Sequence, residues 1–231
     1  MSAAPPVRRV SWKRAYRIIA ARYPPIALFE EIADPEDWEA LIDIESLTNE
    51  RIRDEIGEIS LVPPGDRIRG PGASYVMAAF THIGVPSRFS DGTWGVYYAG
   101  RTRACSIAET TYHYGRFYAA TAEPPCDVDV RVLVGIARGA LHDIRGELRR
   151  YRRVYEPGDY TASQNFAREL RAGGSSGVVY DSVRAQGGQC LAAFRPRVLA
   201  PPRVERHLLY HFDGARIARY FDYVAEAWIG L

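Results

Sequence analysis

The chain has 231 residues, 47% of them hydrophobic and 25% charged, and its formal net charge is +2. This length suffices for one domain with a sizeable core, and the near-balance of charge does not favour direct binding of nucleic acid. No apolar run approaches the ~20 residues of a membrane span, so we expect a cytoplasmic protein without membrane contact. Cys105, Cys126 and Cys190 lie far apart and match no metal-ligand spacing, which predicts a reducing compartment, no disulfide framework and no metal site.

Residues 1–65 are predicted to form an N-terminal helical extension. Asp34 is a suitable N-cap, Pro35 suits the first helical position, and apolar residues then recur at helical spacing. A second amphipathic segment covers residues 48–59. Residues 62–65, Val-Pro-Pro-Gly, cannot continue a helix because proline lacks the backbone donor and glycine carries an entropic cost. We therefore predict a boundary there, with a second domain over residues 66–231.

A strand and a helix are predicted at the start of the second domain. Residues 94–99 are rich in strand formers and are followed by Gly100. Thr102 is a suitable N-cap for a helix that carries Glu109 about two turns from its start, on a rigid element. Residues 127–136 alternate valine or isoleucine with other residues, which predicts a strand with one face on the core.

The last third of the chain is predicted to contain one helix and four strands. Thr161 or Ser163 is a suitable N-cap for the helix, and Gly173-Gly174 supplies its left-handed end. The strands are expected at residues 177–180, 189–194, 207–212 and 216–223, the last two joined by a hairpin turn at Asp213-Gly214. The order of elements predicts an α+β fold with mixed or antiparallel sheets and flanking helices, without βαβ regularity.

Two arginines precede a glycine-rich loop. Arg67 and Arg69 stand before Gly70-Pro71-Gly72, and guanidinium groups match phosphate oxygens while glycine lets a ligand approach the backbone closely. A solvated arginine beside a turn is the commoner explanation of this pattern. The loop matches neither the Walker sequence nor the dinucleotide-binding glycine pattern.

Several later segments carry a set of residues typical of one bacterial family. They are residues 87–99, SRFSDGTWGVYYA, residues 104–109 with Glu109 at their end, residues 177–184, GVVYDSVR, and residues 187–196, GGQCLAAFRP. Tyr98 and Glu109 are eleven residues apart, the spacing between a strand-ending tyrosine and a glutamate in that family. In these segments the chain resembles the RES domain of bacterial toxin–antitoxin pairs, over about 130 residues in the right order.

This resemblance implies a fold similar to the ADP-ribosyltransferase toxins, with residues 66–231 as the catalytic domain. It implies NAD as the substrate, cleavage of the nicotinamide–ribose bond, and a cognate DNA-binding antitoxin of the Xre type. The acceptor of the ribosyl group stays open between water, inorganic phosphate and a protein side chain. The N-terminal extension has three open roles: it shields the pocket, forms a homodimer, or binds the antitoxin.

The resemblance also implies a set of site residues. Glu109 would stabilise positive charge on the ribose, and Tyr98 would stack on the nicotinamide. Arg69 would bind the pyrophosphate, and Ser182 would form one hydrogen bond to the ligand.

Alternatives to these assignments stay open. Arg67 competes with Arg69 for the pyrophosphate, and Arg88 is expected to share that contact. Thr161 and Ser163 compete with Ser182 as the pocket hydroxyl, because related toxins place a polar pocket residue before a similarly positioned glutamine; helix capping explains them equally well.

Two rival functions follow from other residues. Cys190 with His207 or His211 would form the nucleophile and base of a thiol hydrolase, although a small cysteine within an apolar strand is ordinary. The basic stretch of residues 145–153 would serve a binding module for nucleic acid or a partner, although a solvated charged helix face is the commoner explanation.

Overall fold

The computed structural model describes residues 4–21, residue 38 and residues 57–231. Eight strands form one sheet, and they are β1 Val7–Ala20, β2 Tyr97–Gly100, β3 Cys126–Asp143, β4 Gly177–Asp181, β5 Gln189–Ala193, β6 Arg203–Phe212, β7 Ile217–Asp222 and β8 Ala227–Gly230. Three α-helices of the described ranges accompany the sheet, and they are α1 Ala73–Thr81, α2 Arg103–Ala120 and α3 Thr161–Ala172.

The long strand β3 organises the sheet. The strands of the sheet lie in the order β1-β2-β5-β4-β3-β6-β7-β8, and an additional pairing joins β1 to β3. Strands β1, β2, β5, β4 and β3 therefore close into a ring, and β6 to β8 continue outward from β3. Within the described residues, β3 with β4 is the one parallel pair. The α+β class predicted from the sequence is confirmed.

The N-terminal segment differs from its prediction. Residues Val7–Ala20 form strand β1 rather than a helix, and they pair antiparallel with β3 from Val7↔His142 to Ala20↔Val130. Val10 and Trp12 alternate with polar residues, and their side chains are buried in the core. Pairing with a distant strand therefore overrides the local preference for a helix. Strand β1 thus belongs to the same sheet as the strands after residue 66.

The other predictions for residues 1–65 lie mostly outside the described residues. Residue Trp38 is helical and buried, and the rest of the segments 34–45 and 48–56 is not described. At the predicted boundary, Ile59–Leu61 and Pro64–Asp66 form short 3-10 turns. Proline at the first position of such a turn loses no intrahelical hydrogen bond, which is why the Pro-Pro pair does not exclude helical turns.

The glycine-rich loop leads directly into an unpredicted helix. Gly72 is the N-cap residue of α1, with φ +88° in the left-handed region. A Cβ atom at Gly72 would lie 2.0 Å from the carbonyl oxygen of Pro202, so both the dihedral angle and the close packing require glycine. The glycine pattern therefore serves the start of a buried helix.

The elements nearest the site agree with their predictions. Thr102 caps α2, since its side-chain oxygen accepts a hydrogen bond from the Cys105 backbone N–H at 3.2 Å. Strands β4, β5 and β7 fall where expected, whereas β2 begins at Tyr97 rather than at residue 94 and β6 begins at Arg203 rather than at residue 207. Gly214 takes φ +100° in the predicted hairpin turn. Strand β3 is longer than predicted, and Ile136 is 43% exposed, opposite the register shift between Trp12 and Ala15 of β1.

Helix α3 begins differently from its prediction. Its N-cap residue is Tyr160, and no side chain caps the helix there. The Ser163 hydroxyl instead donates a hydrogen bond to the carbonyl oxygen of Tyr160 at 2.9 Å. The C-terminal end agrees with the prediction, since Gly174 has φ +80°.

Candidate active site

A cavity of about 300 Å³ lies where β1, β2 and α2 meet. Its volume is at the lower end of the range for small-molecule sites, roughly 300 to 1,000 Å³. It is lined by residues 16–18 of β1, residues 86–88, residues 98–100 of β2, one face of α2, and the side chains of Tyr160, Tyr180 and Cys190. Seven parts of the chain therefore meet at this point.

Glu109 lies in this cavity on helix α2. The Ser182 hydroxyl donates a hydrogen bond of 2.6 Å to its Oε1, and the Cys190 thiol lies 3.8 Å from the same oxygen. Ser182 in turn accepts hydrogen bonds from the backbone N–H groups of Arg184 at 3.1 Å and Ala185 at 2.9 Å. Because a short hydrogen bond to a carboxylate is strong and directional, the carboxylate of Glu109 is held in one orientation.

Tyr98 forms another part of the cavity wall, and its hydroxyl is fully engaged. It accepts a hydrogen bond from the Phe89 backbone N–H at 2.9 Å and bonds to the Ser87 hydroxyl at 2.8 Å. Burial raises the pKa of Tyr98 to about 12, so the phenol stays neutral at physiological pH. Tyr97 is 2% exposed and packs in an apolar cluster with residues of β1 and α1. The structure thus places Tyr98, and not Tyr97, in the cavity.

Arg17 of strand β1 also lines the cavity. Its Nη1 donates to the Tyr98 carbonyl oxygen at 3.4 Å, and its guanidinium lies 4.5 Å from the centre of the Tyr97 ring. Its Nε is buried and has no hydrogen-bond partner among the described residues. Burial lowers the pKa of Arg17, but an arginine remains charged in a protein. Sequence reasoning missed this residue because it lay in a segment predicted to be helical.

Arg88 lines the cavity as well, and it is held by backbone oxygens. Its Nη1 donates to the carbonyl oxygens of Val154 and Glu156, each at 3.1 Å, and its guanidinium lies 4.7 Å from the centre of the Tyr160 ring. The segment that carries Arg88 is fixed by Gln164, whose side-chain amide donates to the carbonyl oxygen of Ser87 at 3.0 Å. The arginine is therefore a rigid cation at the cavity wall.

Five of the predicted site residues do not line this cavity, and one of them, Ser182, is connected to it through its hydrogen bond to Glu109. Arg67 is buried, and its guanidinium donates to the carbonyl oxygens of residues 62 and 59 at 2.8 and 3.5 Å. Arg69 is exposed. Thr161 and Ser163 lie at the start of α3, where the preceding residue, Tyr160, lines the cavity instead.

The structure does not support the two rival functions, a thiol hydrolase based on Cys190 and a binding module based on residues 145–153. The hydrogen bond with Cys105, burial and the Glu109 carboxylate raise the pKa of Cys190 well above its usual range, the opposite of an activated thiol. His211 instead contacts Asp127, with Nδ1 and Oδ1 2.7 Å apart. Residues 145–155 form turns rather than the charged helix expected from the sequence, and Tyr151 packs into the core against Phe166.

Among the residues that the structure describes, no group of three or more His, Cys, Asp and Glu side chains could hold a metal ion. No helix within these ranges has the length and apolar character needed to cross a membrane.

Comparison with known proteins identifies the family. The sequence model of the RES domain matches residues 65–213. This chain belongs to the RES domain family. A curated relative, uncharacterized protein y4oC of Sinorhizobium fredii, strain NBRC 101917 / NGR234, is 27% identical over 211 residues, which are 88% of this chain and 84% of that protein.

A search of solved structures finds the crystal structure of the M. tuberculosis MbcT-MbcA toxin-antitoxin complex. The match has a TM-score of 0.47 and 10% sequence identity, and it covers 87% of this chain and 85% of that chain. The RES match begins at residue 65, so strand β1 and Arg17 lie before it in the sequence although they adjoin the cavity.

Proposed function

We propose that this chain is a toxin that consumes NAD by breaking the bond between nicotinamide and ribose. The observation that carries the proposal is the carboxylate of Glu109, held at 2.6 Å by Ser182 inside a cavity that Arg17 and Tyr98 also line. A fixed anion beside aromatic and cationic groups suits a substrate that has a positively charged ring, a sugar and a pyrophosphate.

Glu109 supplies the central chemistry in this proposal. As the nicotinamide leaves, the ribose gains positive charge, and a nearby carboxylate with a fixed orientation stabilises that charge more in the transition state than in the ground state. The single hydroxyl proton of Ser182 is already donated to Glu109. Ser182 is therefore a positioning residue in this account, rather than the ligand contact that the resemblance implied.

The cations of the cavity take the anion-binding role first assigned to Arg69. Arg17 lines the cavity, and its guanidinium is the group that we assign to a pyrophosphate oxygen or a ribose hydroxyl. Arg88 adds a second positive charge. Because the cavity measures about 300 Å³, it holds the nicotinamide and its ribose, and the adenosine half extends beyond its mouth.

The proposal includes a fold like that of the ADP-ribosyltransferase toxins and a catalytic domain of residues 66–231. Strand β1, which precedes this domain, contributes Arg17 to the cavity. It also includes a cognate antitoxin of the Xre type, as the resemblance to the RES domain implies. A homodimer remains one proposed role for the N-terminal 65 residues. Water, inorganic phosphate and a protein side chain remain the candidate acceptors, since all three need the same cation-stabilising pocket.

The test is the release of nicotinamide from NAD by the purified protein. Glu109→Gln keeps the shape but loses the charge, so we expect a folded and nearly inactive protein. Glu169→Gln on helix α3 is the matched control, because Glu169 is exposed and lies outside the cavity lining. An unchanged rate in Glu109→Gln would remove the proposal, and mass spectrometry of the products with and without phosphate identifies the acceptor.

A further inference from the structure

Two cysteines that are distant in the sequence meet beside the proposed active site. Cys105 and Cys190 are both free and buried, and their sulfur atoms are 3.5 Å apart. Cys105 lies in the first turn of α2, and Cys190 lies on β5 and lines the cavity. The pair is thus within reach of a small molecule that enters the cavity.

The two sulfur atoms have different electrostatic surroundings. The hydrogen bond from Cys190 lowers the pKa of Cys105, and the N-terminal end of a helix favours a thiolate in the same way. The pKa of Cys190 is raised by the Cys105 sulfur, by burial and by Glu109. A sulfur with thiolate character therefore faces a protonated thiol, the arrangement from which disulfides form.

We propose that Cys105 and Cys190 are an oxidative modification site, at which a peroxide converts the two thiols into a reversible disulfide that inactivates the pocket. In the first step the sulfur of Cys105, which has the thiolate character, attacks the peroxide, the O–O bond breaks, Cys105 becomes a sulfenic acid, and the hydroxide leaves as water with a proton from solvent. The sulfur of Cys190 then attacks the sulfur of Cys105, the S–S bond forms, the S–O bond breaks, and the hydroxide leaves as water with the proton of Cys190. Two thiols lose two electrons and two protons in total, and hydrogen peroxide gains them.

The disulfide disturbs Glu109 in two ways. The sulfur atoms must move roughly 1.5 Å closer, from 3.5 Å to a bond of about 2.05 Å. Cys105 lies four residues before Glu109 on the same face of α2, and Cys190 gives up its thiol contact with Oε1. Because a misplacement of ~1 Å in an active site can cost about 100-fold in rate, we expect a loss of tenfold or more. This consequence rests on the proposed function, whereas formation of the disulfide does not.

The experiment compares reduced protein with protein treated with hydrogen peroxide. We expect a mass lower by about 2 Da, the two hydrogens lost, and a linked pair of peptides that contain Cys105 and Cys190. Cys126→Ala is the matched control, because the third cysteine lies at the start of β3, and this variant should still form the link. Cys105→Ala should form no link and should keep its NAD consumption after peroxide, and Cys105→Ser serves if the alanine variant does not fold.

Each result supports or overturns one of the two claims. Absence of the linked peptides, or higher oxidation of a single cysteine in their place, overturns the modification site whatever the activity. A linked protein that consumes NAD as fast as the reduced protein overturns the inactivation. If the reduced protein consumes no NAD, the proposed function fails, while the peptide map still decides whether the pair forms a disulfide. Recovery of activity with a thiol reductant supports the reversible site.

Discussion

The hydrogen bond between Ser182 and Glu109 offers a quantitative test of how the carboxylate is held. Ser182→Ala removes a 2.6 Å hydrogen bond to Oε1 and leaves the cavity lining in place, since Ser182 is not part of that lining. A hydrogen bond to a charged group contributes about 1.5 to 3 kcal/mol. If that energy serves to orient the carboxylate in the transition state, kcat should fall about 10- to 100-fold, because 1.4 kcal/mol corresponds to a factor of ten.

The assay is steady-state release of nicotinamide from NAD, with kcat and KM determined separately. A positioning role predicts a fall in kcat with little change in KM, because the hydroxyl does not contact the substrate. Ser163→Ala is the control, since the hydroxyl of Ser163 is also hydrogen bonded but donates to the Tyr160 carbonyl oxygen rather than to Glu109, and kcat of this variant should not change. An increase in KM alone for Ser182→Ala would refute this reasoning and return Ser182 to the role of a ligand contact.

Two further predictions concern the cations and the stability of the fold. Arg17→Ala should raise KM for NAD by tenfold or more, whereas Arg69→Ala should leave it unchanged; equal effects would contradict the assignment of the anion site. Asp143→Asn should lower the free energy of unfolding by about 2 kcal/mol at pH 7, since hydrogen bonds from Arg145 lower the pKa of Asp143. A depressed pKa stabilises the fold above the unfolded value of about 3.9, so denaturant unfolding should show the difference shrinking as the pH falls below that value, and a constant difference would disprove the link.

The sequence predicted the site elements whose determinants are local. Thr102 caps α2, and the spacing from Tyr98 to Glu109 follows from a strand, a short turn and two helical turns. The glycine at the end of α3 and the hairpin at Asp213-Gly214 also depend on neighbouring residues alone. Each of these features could therefore be recognised without knowledge of the tertiary structure.

The remaining features depend on contacts between distant parts of the chain. Strand β1 is stabilised by β3, which begins only at Cys126, so residues 7–20 gave no local indication of their partner, and Arg17 was missed with them. The hydrogen bonds of Arg67 to backbone carbonyl oxygens depend on the turn at residues 59–62. The contact of Cys105 with Cys190 likewise requires the docking of α2 against β5.

The most direct measurement is a crystal structure of the Glu109→Gln variant with NAD bound, since the variant should bind the substrate without consuming it. The account predicts the nicotinamide ribose beside residue 109, with side-chain oxygen and ribose at a hydrogen-bond distance of about 2.6 to 3.2 Å. Arg17 should contact the ribose or the pyrophosphate. A dinucleotide bound elsewhere, or a ribose far from residue 109, would contradict the central claim.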